Sequence, residues 1–190
     1  MNFVTKLRIM AQVYHWRLTW NRKDLHYPPP VKDNPKFMTA WDAVKLIPDG
    51  SVIANSGMGG NQRTALLFWA IRDSFLKEGR PKNLTVLTVG GQGGRGKAPG
   101  TLEELAYEGL NTRLFTAHTE TFKGQLHLAE EGKIEIQCGL IGIMTFMFRE
   151  QIEGRDYFIT ETGIGTFIDP RVGNGTPIAP ENAPQYVEVT

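Results

Sequence analysis

The sequence predicts one α/β domain, a mainly parallel sheet with flanking helices on both faces, carried behind a basic N-terminal extension. Three observations support this expectation. The 190 residues, 41% hydrophobic and 22% charged, match ordinary single-domain usage. A chain of that size buries roughly 70% of its unfolded surface without a disulfide or metal staple. Short apolar runs rich in β-branched residues alternate with stretches whose apolar residues recur every three or four positions, the pattern of repeated βα units. Many of the 21 glycines fall in bursts. The two densest follow apolar runs, where an open sheet turns toward a helix and presents backbone to ligands.

The elements follow in order. Phe3, Leu7, Met10, Val13 and Trp16 have helical spacing, among Lys6, Arg8, Arg17, Arg22 and Lys23 with no acid before Asp24. Such a segment suits an organelle-targeting presequence or a helix docked on the body or on a partner; its lack of serine favours the docked helix. Pro28, Pro29, Pro30 and Pro35 make an extended linker. Residues 1–35 therefore read as extension and linker, and residues 36–190 as the domain. Thr39 with Asp42 reads as a helix N-cap ahead of Ala40, Val44 and Ile47. Asp49-Gly50 marks a turn, and 51–55 a short buried strand. Leu67, Phe68, Ile71 and Phe75 form a helix that Gly79 ends. Residues 84–89 are a second strand, and Thr101 with Glu104 is a capping box opening a short helix. A third strand at 113–117, a helix at 121–131 stopped by Gly132 and a fourth strand at 134–138 come next. A buried helix at 143–151 and a fifth strand at 157–160 complete the alternation. The proline-rich tail is irregular until a last strand at 186–189.

Charge and cysteine usage exclude several classes. Lys+Arg 21 against Asp+Glu 20 leaves a net charge of +1, too little for a dedicated nucleic-acid binder, which needs concentrated cations. The single cysteine, Cys138, cannot form an intramolecular disulfide, and CxxC and HExxH motifs are absent. No apolar run approaches the ~20 residues of a membrane helix. The expected setting is cytoplasmic, with the mitochondrial matrix left open by the basic N-terminus.

Candidate chemistry concentrates in the glycine loops. Gly57, Gly59 and Gly60 follow the first strand and precede a helix. Backbone N–H groups unobstructed by Cβ, with a helix N-terminus behind them, suit a phosphate or a developing oxyanion. The motif is neither a P-loop nor GxGxxG, and a plain βα connection explains it equally well. The run Gly90-Gly91-Gln92-Gly93-Gly94-Arg95-Gly96-Lys97 holds more glycines than a turn needs, with two cations for an anionic ligand. Histidine carries protons near neutral pH, but no nucleophile stands at a readable spacing from His118, so a loop-fixing role beside Glu120 is favoured. Cys138, inside an apolar strand, reads as a small buried hydrophobe, and Met144, Phe146, Met147 and Phe148 as core helix residues. Glu161 follows a strand and precedes Gly163 and Gly165. That placement suits a carboxylate nucleophile beside backbone donors, or a solvent-facing loop carboxylate. No metal site is expected.

In combination these segments resemble the family I CoA-transferases, in particular the propionate and acetate CoA-transferase branch. The resemblance rests on Asp49-Gly50 with the Ser56-Gly57 loop, on Gly91-Gln92-Gly93 with Arg95-Gly96, and on Leu105-Ala106-Tyr107-Glu108-Gly109-Leu110. Its strongest element is Gly163-Ile164-Gly165-Thr166-Phe167-Ile168-Asp169-Pro170-Arg171. It runs from about Lys36 to Thr190 and implies a CoA-transferase-type α/β fold, with coenzyme A as a substrate and no tightly bound cofactor. In that family a glutamate attacks an acyl-CoA thioester to give a mixed anhydride. The released CoA thiolate forms a glutamyl-CoA thioester, and CoA passes to a second carboxylic acid. The enzyme is built from two similar α/β halves with the site between them.

This chain resembles only the first, alpha-type half, and that incompletely. The nucleophilic glutamate belongs to the second half, so it is expected from another chain or from a C-terminal portion; Glu161 occupies the first half's equivalent position. Ile141 stands where the first half offers a glutamine that helps hold the thioester oxygen. An isoleucine cannot donate that hydrogen bond, and Gln92 is the candidate substitute. Thr64 stands near where many relatives carry a proline. The resemblance implies substrate contacts at Gly57, Gly59, Gly60, Gly91, Gln92 and Gly93. The partners it implies are an acyl-CoA, a carboxylic acid and a complementary beta-type half or subunit in an oligomer. The alternatives are an acyl-CoA hydrolase, in which water replaces the acceptor acid, and a non-catalytic CoA-binding or assembly subunit.

Overall fold

The computed structural model describes residues 1–19, 25–57, 64–94, 99–173, 175, 178 and 187–190. Four parallel strands form one sheet in the order β1 (Val52–Asn55), β2 (Leu84–Thr88), β3 (Asn111–Thr116) and β4 (Glu135–Cys138). The register sets Ile53 beside Val86, Val86 beside Leu114, and Leu114 beside Ile136. Because side chains alternate along a strand, these four residues share one face.

Strands that neighbour in sequence order and connect by right-handed crossovers place every connecting helix on the same side of the sheet. That side carries α2 (Ala40–Val44), α3 (Ala65–Glu78), a 3₁₀ turn (Leu102–Leu105) and α4 (Lys123–Glu130). Val44, Phe68, Ile71, Leu102, Leu105 and Ala129 from these elements join Leu84, Val86, Leu114 and Ile136 in one core. The flanking helices expected on both faces are unequally shared, these elements packing on one face and α5 (Ile141–Ile152) on the other. On the far face Val52 is 59% exposed, and Ala54 is exposed with it. The segment expected as a buried strand is an edge strand. Among the described helices α5 reaches that side: a Cβ on Gly139 would lie 2.8 Å from Phe115 and 3.6 Å from Met144.

Local signals place the helices well. The Thr39 hydroxyl oxygen accepts the Asp42 N–H at 3.0 Å, satisfying an orphan donor of the first turn. Gly79 ends α3 in the left-handed region at φ 70°, its N–H donating to the Phe75 carbonyl at 2.8 Å. Leu25, 8% exposed, joins the core, and its carbonyl accepts the Trp41 N–H at 3.1 Å. Contact with the body thus begins before the proline run. Among the described helices none is long and apolar enough to cross a membrane.

The second half of the chain departs from expectation. In α5 only Met144 is buried, while Ile141, Phe146 and Ile152 face solvent, so α5 is not a core helix. Residues 157–160 form no strand. Tyr157 and Ile159 are exposed, and Phe158 instead stacks on Phe146 with ring centroids 5.6 Å apart. The place beside β4 is taken by Ile178, which exchanges both backbone hydrogen bonds with Ile136 in an antiparallel bridge. The Cys138 N–H also reaches the Gly175 carbonyl at 3.1 Å. Residues 187–190 are not a strand, and Tyr186 lies outside the described residues.

Asn111 opens β3 fully buried, and among the described residues neither of its side-chain polar atoms has a hydrogen-bond partner. A buried orphan polar group costs about 1–3 kcal/mol, whereas an apolar group of similar shape escapes that penalty. Asn111→Leu is therefore expected to raise the thermal midpoint. A fall in midpoint would show that the amide is satisfied.

Candidate functional site

The carboxyl ends of β1, β2 and β3 converge, and the loops leaving them touch through glycines. A Cβ on Gly90 would lie 2.4 Å from the Gly57 carbonyl oxygen. On Gly91 it would meet the His118 ring at 3.3 Å and the Thr121 hydroxyl at 3.4 Å; on Gly93 it would strike the Thr121 carbonyl oxygen at 2.0 Å. Glycine at 90 and 93 is demanded by loop-on-loop packing, while a side chain at Gly91 would be tight against side chains that can shift. The approach of a ligand is not needed to explain it.

Gln92 sits at the centre of this assembly, fully buried. Its side-chain N–H donates to Asn55 Oδ1 at 2.8 Å, tying the β2 loop to the end of β1. The pair leaves Gln92 Oε1 and Asn55 Nδ2 buried without partners, and His118 Nδ1 and Thr121 Oγ1 are in the same condition. Four polar atoms with no partner among the described residues, where strand ends and loops meet at the ligand-binding end of a parallel sheet, mark a polar site. His118 Nε2 lies 3.9 Å from Glu120, and its backbone N–H is held by Thr116 Oγ1 at 3.2 Å.

The far end of the β2 loop is pinned to α3. Glu104 Oε1 accepts both the Trp69 indole N–H and the Gly100 N–H at 2.9 Å, and Glu104 Oε2 pairs with Arg72. Glu104 was expected to close a capping box with Thr101. Instead it reaches the Gly100 N–H, and the element it lies in is a 3₁₀ turn. Desolvation opposes the Arg72 charge, but Asp73 and Glu104 outweigh it and raise the guanidinium above its ordinary range.

The other expected site residues divide. Gly57, Gly91, Gln92 and Gly93 are brought together. Gly59, Gly60, Arg95 and Lys97 lie outside the described residues. Glu161 is exposed. Ile141, 56% exposed, begins α5 with an apolar side chain. Burial pushes the Cys138 thiol up, away from the thiolate a nucleophile requires. Among the described residues no cluster of His, Cys, Asp and Glu is arranged to hold a metal ion. Asn55, Thr121 and Glu104 were missed as site-building residues. Their one sequence signal was position, at the end of a strand or just after a glycine burst.

The 163–171 string is a stitched turn. Asp169 accepts the Gly165 N–H at 2.8 Å, the Arg171 N–H at 3.0 Å and a two-pronged contact from the Arg171 guanidinium at 2.8 and 2.7 Å. Ile168 packs beneath Gly163, where a Cβ would come within 2.3 Å of it. Arg171 first, then the two backbone N–H groups, hold the Asp169 carboxyl far below the usual carboxylate range. The unfolded group titrates near ~3.9. A depressed folded value therefore adds stability that is present above about pH 4 and lost as pH falls toward the folded value. Melts between pH 5 and 2 are expected to show a steeper acid loss for the parent than for Asp169→Asn. Parallel curves would contradict this.

Comparison with known proteins finds relatives among the CoA-transferases. No protein-family model matches the chain. It is 36% identical over 145 residues to the caffeate CoA-transferase of Acetobacterium woodii, covering 74% of this chain and 26% of that protein. It is 31% identical over 149 residues to the acetate CoA-transferase YdiF of Escherichia coli K12, covering 78% of this chain and 28% of that protein. Crystal structures of the E. coli O157:H7 acyl-CoA transferase YdiF superpose with TM-scores of 0.70 for a thioester complex with CoA and 0.72 for the apoenzyme. Identity there is 27% and 28%; the matches cover 78% and 85% of this chain, and 30% of YdiF in each case. The chain thus spans less than a third of the length of these relatives. It is a homologue of the CoA-transferases that corresponds to part of their α/β architecture.

Proposed function

We propose that residues 36–190 furnish one wall of an acyl-CoA site, at which CoA is transferred between an acyl-CoA and a carboxylic acid. The nucleophilic glutamate would come from a complementary polypeptide or a C-terminal portion. The observation that carries this reading is the convergence of three strand-end loops on the buried Gln92–Asn55 pair. Such a site can bind and orient a polar group through loop backbone and amides, while the attacking carboxylate would be supplied by the complementary half. Coenzyme A acts here as substrate, as the thioester complex of YdiF with CoA suggests, and the cytoplasm is the proposed setting.

The test is CoA transfer from an acyl-CoA to acetate, with free thiol followed in parallel. The chain alone is expected to give neither signal. Supplying the complementary half of a CoA-transferase is expected to restore acetate-dependent transfer. Turnover by the chain alone, abolished by Glu161→Gln, would overturn the proposal. Thiol release that ignores acetate would favour the hydrolase reading. Ile141 favours one further reading, a non-catalytic CoA-binding subunit, because losing a donor to the developing oxyanion typically costs about 10²–10³ in rate. That reading gains if CoA binds and the restored complex stays inert.

A further inference from the structure

α1 (Phe3–Thr19) runs for 17 residues without burying any described side chain. Asn2 starts it, its side-chain oxygen accepting the Thr5 N–H at 2.8 Å. At ~100° per residue, Phe3, Val4, Leu7, Met10, Tyr14 and Leu18 fall on one continuous arc, about a third of the helix circumference. Each of them is between half and three-quarters exposed. Lys6 borders the arc on one side, Arg8 and His15 on the other. From Met1 to Lys23 the sequence contains five Lys or Arg and no acidic residue.

Charge decides what covers such an arc. A second copy of α1 would bring cations against cations along both borders, with no acidic residue to pair them. An apolar arc flanked on both sides by cations fits a lipid surface. The apolar side chains enter the acyl boundary, and the long basic side chains extend to headgroup level. At 1.5 Å per residue the helix is about 25 Å long, and it is not apolar enough to cross, so it lies in the membrane plane. We propose that α1 is an interfacial helix that docks the chain on an anionic lipid surface. Ile9 and Val13 lie outside the arc, on the side that faces water.

The test is flotation of the full chain on a density gradient with vesicles, in which bound protein rises and aggregate sinks. Vesicles of 70% phosphatidylcholine and 30% phosphatidylserine are compared with pure phosphatidylcholine. Basic residues near an anionic surface add about 1 kcal/mol each, or roughly fivefold in affinity. Lys6→Gln with Arg8→Gln is therefore expected to weaken binding to the anionic vesicles by roughly 30-fold, toward the neutral-vesicle level. Leu7→Gln with Met10→Gln keeps good helix formers and is expected to abolish flotation, whereas Ile9→Ser, off the arc, is expected to leave it unchanged. Absence of flotation with anionic vesicles would overturn the proposal, as would flotation indifferent to the Leu7 and Met10 changes. Concentration-dependent self-association lost in those variants, without flotation, would assign the arc to a second copy instead.

Discussion

Gly93→Ala is expected to destabilise the domain by about 3 kcal/mol or more and to release the β2 loop from the β3 loop. The added methyl would sit 2.0 Å from the Thr121 carbonyl oxygen, 2.5 Å from its carbon and 2.9 Å from the buried Phe122 ring. Two of these neighbours are backbone, so no rotamer change relieves the clash, and overpacking of this kind costs 1–3 kcal/mol even where side chains can adjust. Gly142→Ala provides the contrast. A methyl there meets nothing within 4 Å, and alanine is the better helix former, so a small gain is expected. Denaturant melts of the two variants check the pair. A neutral Gly93→Ala would show that the loop-on-loop contact is wrongly placed.

Glu104→Ala is expected to cost about 2–3 kcal/mol, somewhat less than the 3–5 kcal/mol for breaking a fully buried ion pair. The carboxylate is 11% exposed and Arg72 18%. Removing it strips the Trp69 indole and the Gly100 N–H of a shared acceptor and leaves the Arg72 guanidinium with Asp73 as its remaining ionic partner. Glu104→Gln retains an acceptor for the indole and the amide and is expected to cost about half as much, since it forfeits only the charge-assisted bond. Urea unfolding curves rank the three proteins. Equal loss in Ala and Gln would assign the effect to the ion pair alone.

The sequence was most readable where a local rule and a tertiary need coincide. The Thr39 cap, the Gly79 stop and the β-branched second strand depend on residues that sit side by side in the chain. The same rules failed from α5 onward. An apolar run such as 143–151 signals burial only if something covers it, and here the sequential strand order sends the crossover helices to the other face. Residues 157–160 have strand composition, but the Asp169 turn returns the chain so that Ile178 occupies the edge of β4. In the candidate site, glycine density marks loops that meet, but for a reason other than the approach of a ligand. It reports backbone pressed against backbone at Gly90 and Gly93, while the polar pairing of Gln92 with Asn55 spans 37 positions and no motif encodes it.

Native mass spectrometry of the protein drawn from its source cells tests most directly whether another polypeptide completes the site. The account expects the 21.3 kDa of this chain inside a larger species that also contains a complementary CoA-transferase half, as partner or as continuation. A species consisting of this chain alone, as monomer or homo-oligomer, and turning over acyl-CoA would contradict it.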